Sequence, residues 1–128
     1  MRLLGPTLLL LTLALPYACA APGARHLASL HGVEVGDASY YASRFQGQRT
    51  ASGQRYDERR LTAAHRALPF GTRVRVTNLA NGRSTVVTIT DRGPWRRDRV
   101  IDVSRRAARK LGFEHAGTTR VRLKVVSR

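Results

Sequence analysis

An acidic residue ends the alternating run STVVTIT, residues 84–90, and is followed by Arg92, Gly93 and Pro94. Because Gly and Pro interrupt a strand, the Asp91 carboxylate is expected at a sheet edge, where side chains meet solvent and ligands rather than the core. Two roles suit a carboxylate in that position. It can form the turn, by bonding to its own backbone or pairing with Arg92, or it can deliver and accept a proton as a catalytic acid and base.

Other polar residues beside predicted strands are further candidates for chemistry. They are Thr50, Ser52, Gln54 and Asp57 in TASGQRYD, His65 at the end of LTAAH, and Asp102 in VIDVS. A histidine that ends an apolar strand more often makes structural hydrogen bonds than it catalyses. Asp102 comes just before Ser104, so it suits the start of a helix, where the helix dipole favours a negative charge.

Several kinds of site do not fit the sequence pattern. The four histidines stand at no zinc-like spacing with another His, Cys or carboxylate; they are His26, His31, His65 and His115. The chain has no Gly-rich phosphate loop, and no serine lies in a Gly-x-Ser-x-Gly turn. We therefore predict no metal, no cofactor and no nucleophilic side chain.

The chain is strongly basic, with 23 Lys and Arg against 8 Asp and Glu and a formal net charge of +15. Such an excess in a cytoplasmic chain would favour nucleic acid as the partner. The aromatic and basic stretches of a single-strand binding platform are missing, however, and the N-terminus carries an export signal. We predict no nucleic acid partner and an attraction to an anionic wall polymer or membrane surface. A solvated arginine-rich surface without a partner is the alternative.

The first 20 residues have the pattern of a secretory signal peptide, with Arg2, the apolar LLGPTLLLLTLAL and the small residues of YACA. We predict export to the periplasm or cell envelope. Cleavage after Ala20 would discard Cys19, the only cysteine, so no internal disulfide is expected. Lipidation of Cys19, which would make the chain an outer-membrane lipoprotein, is the weaker alternative, because Pro16 stands where such signals usually carry an aliphatic residue.

Residues 21–36 show no sustained periodicity and are predicted to form a linker or N-terminal arm, ahead of one domain at residues 37–128. In that domain, six stretches rich in β-branched or aromatic residues predict strands; they are ASYYASR, LTAAH, TRVRVTNL, STVVTIT, RVIDVS and TRVRLKVV. The pair Asn81-Gly82 predicts a hairpin between the third and fourth. Ser104 as N-cap and Gly112 as terminal glycine predict one short helix, RRAARKL. The fold class is mainly β, a small closed barrel.

These stretches also carry a family resemblance. ASYYASRFQGQRTASGQRYD, then LTAAHRALPFGTRVRVTNLANGRSTVVTITDRGPWRRDRVIDVSRRAARKLGF, then GTTRVRLKVV closely resemble the rare lipoprotein A (RlpA) family of septal-ring lytic transglycosylases. The resemblance covers about residues 37–126. It implies a six-stranded double-psi β-barrel, which the family shares with expansins. It also implies cleavage of peptidoglycan glycan strands between N-acetylmuramic acid and N-acetylglucosamine, with a 1,6-anhydro product.

The resemblance assigns roles to particular residues. The family's motif residues correspond here to Asp91 and His65, whereas Gln54 replaces the acid that usually follows Thr-Ala-Ser-Gly. Glycoside hydrolases use two carboxyl groups, but a lytic transglycosylase can manage with one, because the C6 hydroxyl of the substrate attacks the anomeric carbon. We predict that Asp91 is the acid and base, that His65 orients substrate or the carboxylate, and that substrate is bound by Gln54, Ser52, Tyr41 and Arg92.

A second function remains open, that of a non-catalytic, expansin-like module that binds peptidoglycan beside Asp91. Aromatic side chains can stack on sugar rings in either case, although aromatic residues are more often buried; the candidates are Tyr40, Tyr41, Phe45 and Trp95. Since Arg128 directly follows the last predicted strand, we expect no SPOR-type targeting domain.

Overall fold

The computed structural model of the chain describes residues 32–128. This part of the chain contains six strands, a three-residue 3-10 helix (Ser43–Phe45) and one α-helix, α1 (Arg105–Leu111); the strands are β1 (Val33–Tyr40), β2 (Thr62–Ala64), β3 (Arg73–Asn78), β4 (Ser84–Asp91), β5 (Arg99–Val103) and β6 (Thr119–Ser127). The strands close into a barrel in the order β1-β5-β2-β4-β3-β6. The predicted mainly β fold, a closed six-stranded barrel with one short helix, is therefore confirmed.

The first strand begins earlier than the sequence predicts. Residues 33–36, assigned above to the arm, belong to β1, and Val33 lies opposite Lys124 in the antiparallel pairing of β1 with β6. Gly36 fits inside the strand because the barrel wall comes close to it, and a Cβ atom there would lie 2.3 Å from a methyl group of Val100. The signal peptide, Cys19 and the rest of the arm lie outside the described residues.

The hairpin between β3 and β4 forms where Asn81-Gly82 predicts it. Gly82 has a φ of 76°, in the left-handed region that glycine adopts without strain. The Asn78 N–H donates to the Arg83 carbonyl at 2.7 Å, and the Arg83 N–H donates to Asn81 Oδ1 at 2.9 Å. These bonds close the turn and set the register of the two strands.

Helix α1 begins and ends at the predicted residues. The Ala107 N–H donates to Ser104 Oγ at 3.3 Å, and Gly112 ends the helix with a φ of 77°. The helix packs on the barrel through Ala107, Ala108 and Leu111, which are buried. A strand, a capped helix and a further strand therefore follow one another without a long loop.

The barrel interior is filled by alternate residues of the longer strands. The side chains that point inward are almost completely buried; they are Val74, Val76, Val87, Ile89, Ile101, Val103, Val121 and Leu123. Burying an aliphatic side chain stabilises a fold by about 1.5–3 kcal/mol, so this set holds the strand ends in place. Between residues 32 and 128, no helix is long and apolar enough to cross a membrane.

Candidate active site

The Asp91 carboxylate ends β4 and is held by three hydrogen bonds. Tyr41 Oη donates to Oδ2 at 2.6 Å, and the N–H groups of Ala51 and Arg92 donate to Oδ1 at 2.8 and 2.9 Å. The bond from Arg92 is the local turn contact expected of an Asp before Arg-Gly-Pro. The other two come from distant parts of the chain, so the carboxylate is oriented by tertiary contacts as well.

Two elements deliver these distant donors. Tyr41 directly follows β1, whereas Ala51 lies in the loop between β1 and β2. The same loop is tied to the end of β4 because the Ser52 N–H donates to the Thr90 carbonyl at 3.1 Å. The loop between β1 and β2 therefore packs against the end of β4, and Asp91 lies at this contact.

The Arg92 side chain turns away from Asp91. Its Nη1 donates to the carbonyls of His65 and Leu68 at 3.2 and 2.8 Å, and its guanidinium carbon lies 4.0 Å from the centre of the Phe70 ring. Of the salt bridges within residues 32–128, none includes Asp91. Because these two carbonyls and the Phe70 ring hold the guanidinium, the Asp91 carboxylate has no paired cation.

Tyr41 is the side chain most closely coupled to Asp91. Burial raises the pKa of the Tyr41 phenol well above its usual range, and the hydrogen bond to Asp91 raises it further. The ring stacks on Tyr56, with centres 4.4 Å apart, and meets Phe45 edge-on at 6.0 Å. Tyr41 therefore remains a protonated donor at neutral pH, held in position by aromatic packing.

Asp91 borders two adjoining pockets. A pocket of about 520 Å³ extends from Asp91 past Arg92 to Trp95. A smaller one of about 150 Å³ lies toward Tyr56, and Tyr41, Phe45 and Asp91 line both. Beyond Tyr56 a third pocket, of about 490 Å³, includes Gln54, Asp57 and Arg60. We call these three pockets together the groove; Asp91 lines two of the three.

His65 lies behind the groove rather than in it. The side chain is 6% exposed, and its Nδ1 accepts the N–H groups of Ala67 and Leu68, both at 3.1 Å. Since Nδ1 is an acceptor, Nε2 carries the proton and donates to Glu34 Oε2 at 3.0 Å. The His65 imidazole lines none of the three pockets.

The link from His65 to Asp91 runs through the backbone. The His65 N–H donates to the Asp91 carbonyl at 3.1 Å, and the His65 carbonyl accepts from Arg92. This geometry supports a positioning role for His65 and does not bring its imidazole to the substrate. A catalytic role for His65 stays a prediction.

Two of the predicted binding residues lie apart from the Asp91 carboxylate. Gln54 lines only the third pocket, beyond Tyr56. The Ser52 hydroxyl is 2.9 Å from Thr50 Oγ1 and accepts the Gln54 N–H at 3.4 Å, which shapes the turn at residues 50–54. Of the predicted binding residues, Tyr41 and Arg92 line the pocket that contains Asp91.

The interpretation of Asp102 as a helix-start residue is wrong. Asp102 lies within β5, where its carboxylate accepts the Ser39 hydroxyl and is 3.7 Å from Arg99 Nη1, and it lines the same pocket as Asp91. The alternation in RVIDV was the available signal, because it points Asp102 away from Ile101 and Val103, which are buried. The pocket therefore holds two carboxylates, of which Asp102 has a cation beside it and Asp91 has none.

A metal centre has no ready-made ligand set in the described part of the chain. Within residues 32–128, no group of three His, Cys, Asp or Glu side chains is arranged to hold a metal ion. His65 is engaged with Glu34 through one ring nitrogen and with backbone N–H groups through the other. The expectation of no metal and no cofactor stays a prediction.

Solved structures share this barrel. The Streptomyces papain inhibitor is similar with a TM-score of 0.61 and 25% identity, over 74% of this chain and 94% of that one. An expansin from Clavibacter michiganensis is similar with a TM-score of 0.59 and 23% identity, over 74% of this chain and 50% of that one. At that identity the expansin bears on the fold alone. The predicted double-psi β-barrel is confirmed.

Curated relatives are more similar to this chain in sequence than the two solved structures are. A protein of Synechocystis named probable endolytic peptidoglycan transglycosylase RlpA is 52% identical over 99 residues, 77% of this chain and 31% of that protein. The endolytic peptidoglycan transglycosylase RlpA of Pseudomonas aeruginosa strain PAO1 is 54% identical over 89 residues, 70% of this chain and 26% of that protein. The chain therefore spans about a third or less of the length of these two relatives.

The family model described as lytic transglycolase matches residues 33–123. The match includes β1 to β5, the helix, the loop at Ala51 and the Asp91 carboxylate. It also includes residues 33–36, in agreement with the early start of β1. The chain belongs to the lytic transglycolase family, as its resemblance to RlpA predicts.

Proposed function

We propose that this domain is an endolytic peptidoglycan transglycosylase, in which Asp91 is the acid and base. The observation that carries the proposal is the position of Asp91, an oriented carboxylate without a paired cation that lines two adjoining pockets. Two pockets that share this carboxylate could hold the sugar units that flank the cleaved bond. The names of the relatives support this activity.

The reaction needs one protein carboxyl group. In its protonated form, Asp91 donates a proton to the oxygen of the glycosidic bond as the bond from that oxygen to the anomeric carbon of N-acetylmuramic acid breaks. The C6 hydroxyl of the same N-acetylmuramic acid attacks the anomeric carbon, and Asp91 takes the proton of this hydroxyl. The products are a free N-acetylglucosamine end and a 1,6-anhydro ring, so Asp91 returns to its starting state and no water is consumed.

Tyr41 is suited to hold the Asp91 carboxylate during both proton transfers. Its hydroxyl bonds Oδ2, while backbone N–H groups bond Oδ1. A donor already in place does not have to reorient as the carboxyl group gains and loses its proton. Tyr41 is therefore assigned as a residue of the catalytic centre, in addition to its predicted role in binding.

Of the four aromatic residues proposed for sugar stacking, Trp95 is the best placed. It is 76% exposed and lines the pocket with Asp91. Tyr40 packs against Phe113, and its hydroxyl donates to the Glu114 carbonyl at 2.8 Å, so it is held as part of the structure. A flat exposed ring beside polar groups is a common feature of carbohydrate-sized pockets.

The second candidate is a non-catalytic peptidoglycan-binding module. The observation that favours it is Gln54, an amide where the family usually has an acid, in the third pocket of the groove. An amide can hydrogen-bond a sugar hydroxyl but cannot exchange a proton with it. Binding would then survive in a protein that releases no product.

Product analysis on purified sacculi separates the two functions. The enzyme releases anhydro-muropeptides, detected by mass spectrometry, and we expect low but measurable release. Retention on sacculi without any release would support the binding module. Complete absence of both would contradict the two proposals together.

We also propose that the chain is exported to the periplasm or cell envelope and is cut after Ala20. The sequence pattern of residues 1–20 supports this location. Intact mass of the exported protein should show Ala21 as the first residue and no lipid. A mass that retains Cys19 with acyl chains would overturn the cleavage site and indicate an outer-membrane lipoprotein.

A further inference from the structure

The outer face of the barrel at β3 and β6 carries four cations without bonded partners. They are Arg73 and Arg75 on β3 and Arg122 and Lys124 on β6, all of which are exposed. Within residues 32–128, none of them takes part in a salt bridge or side-chain hydrogen bond. None of them lines the groove. These charges therefore belong to a separate surface.

The strand register makes this arrangement unfavourable for the isolated chain. Arg75 and Lys124 lie directly opposite each other, and Arg122 lies opposite Thr77. Like charges at directly paired positions destabilise a sheet. The acidic residue on the outer side of β1, Asp37, is 3.6 Å from Arg120 and so is already paired. Binding to an external anionic surface would offset the part of this repulsion that solvent does not screen.

Aliphatic side chains extend the same surface onto β1. Val33 lies opposite Lys124 and Val35 lies opposite Arg122, so each valine is the direct cross-strand neighbour of a cation. The two valines are 54% and 46% exposed. We call this surface, made of Arg73, Arg75, Arg122, Lys124, Val33 and Val35, the basic face. It combines cations and aliphatic groups on one side of three neighbouring strands.

We propose that the basic face binds the surface of an anionic phospholipid membrane. A soluble polyanion would neutralise the cations but leave both valines in water. The bilayer interface accepts both kinds of side chain, because cations reach the phosphates while aliphatic groups enter the boundary of the acyl chains. The barrel then lies on the membrane by this face, while the residues of the groove are left free for glycan.

The test measures co-sedimentation of the full chain with vesicles of equimolar phosphatidylglycerol and phosphatidylcholine, and with vesicles of phosphatidylcholine alone. The first variant is Arg75→Gln with Lys124→Gln. Its matched control is Arg97→Gln with Lys110→Gln, which removes the same charge at exposed positions off the face. Residues 1–31 are the same in all proteins, so any contribution from them cancels.

The parent should bind the anionic vesicles more tightly than the neutral ones. Each cation near such a surface contributes a factor of roughly five in partitioning, so the face variant should bind about 25-fold more weakly. The control should remain close to the parent. Thermal unfolding of both variants checks that the barrel is intact, and equal loss in the two variants would reduce the effect to net charge and overturn the proposal.

A second variant, Val33→Thr with Val35→Thr, separates a membrane from a soluble polyanion. Threonine suits a strand and leaves the charge unchanged, so weaker vesicle binding shows that the aliphatic groups enter the interface. Soluble polyphosphate at matched phosphate concentration is the competing ligand. If the valine variant binds vesicles as well as the parent, and polyphosphate displaces the parent fully, a phosphate polymer is the partner and the membrane proposal is wrong.

Discussion

The groove and the basic face differ in whether their charged side chains are fixed by hydrogen bonds. In the groove, the Asp91 carboxylate accepts three hydrogen bonds, and Arg92 is bound to two backbone carbonyls. On the basic face, Arg75 and Lys124 lie opposite each other with no bonded partner in the described residues. Chemistry needs groups held within a fraction of an ångström, whereas attraction to a charged surface acts over a Debye length of about 10 Å and needs no fixed geometry.

Because of this difference, mutations in the groove and mutations on the basic face should change different measured quantities. A change in the groove should alter turnover and leave long-range attraction intact. A change on the basic face should alter attraction and leave turnover intact. The predictions below test that separation, beginning with the largest expected effect.

Replacing Asp91 with Asn should lower turnover by a factor on the order of 100 or more, because the variant keeps the side-chain size but loses the proton that is transferred. Binding to sacculi should survive. Release of anhydro-muropeptides measures the first quantity, and co-sedimentation with sacculi measures the second.

A suitable control for Asp91→Asn is Asp98→Asn, which removes an exposed carboxylate 3.5 Å from Arg96. That variant should release product like the parent. If Asp91→Asn also releases product at the parent's rate, Asp91 is only the residue that forms the turn.

Tyr41→Phe should lower turnover by about tenfold, since a hydrogen bond to a charged group is worth about 1.5 kcal/mol or more. Phenylalanine keeps the stacking on Tyr56, so KM should change less than kcat. Rates measured over a range of sacculus concentrations separate the two quantities. A change confined to KM would make Tyr41 a binding residue alone.

The raised pKa of Tyr41 has a consequence for stability at high pH. In the unfolded chain the phenol ionises near its ordinary value of 10.0, whereas the folded chain keeps the proton. The contribution is therefore fully present below about pH 10 and is lost above it, by about 1.4 kcal/mol per pH unit. Denaturant unfolding at several alkaline pH values should show a smaller decline for Tyr41→Phe, and equal declines would contradict this account.

Gln54→Glu should leave activity unchanged or raise it, because it restores the usual family residue in the third pocket. Gln54 does not line the two pockets that contain Asp91, so a large effect is not expected. The same product assay applies. If neither the parent nor Gln54→Glu releases product, the peptidoglycan-binding module becomes the better account.

The smallest expected effect is a change in the free energy of unfolding caused by a substitution on the basic face. Lys124→Glu turns the like-charge pair with Arg75 into an opposite-charge pair and should raise the free energy of unfolding by about 0.5 kcal/mol. Turnover on sacculi should not change, whereas binding to anionic vesicles should weaken. A loss of turnover in this variant would mean that the two regions are not separate.

Much of the fold follows from patterns of neighbouring residues. Stretches rich in β-branched or aromatic residues located five of the six strands to within a few residues, and Asn81-Gly82 and Ser104 marked the hairpin and the helix start. The start of β1 was missed because the alternation in Val33-Glu34-Val35 is short and ends at Gly36, so residues 21–36 show no sustained pattern. Its place in the barrel depends on pairing with β6 and on the approach of Val100 to Gly36.

The sequence by itself determined the strands, the turns and the place of Asp91 at the end of a strand, because the residue types of strands and the chemistry of turns are local properties of the chain. Only the tertiary structure decided the surroundings of Asp91. Tyr41 is 50 positions away from it and Ala51 is 40. Closure of the barrel brings these groups together. It also places Asp102 in the groove and leaves the His65 ring outside it. Such contacts depend on which strands become neighbours, and the sequence alone does not show this.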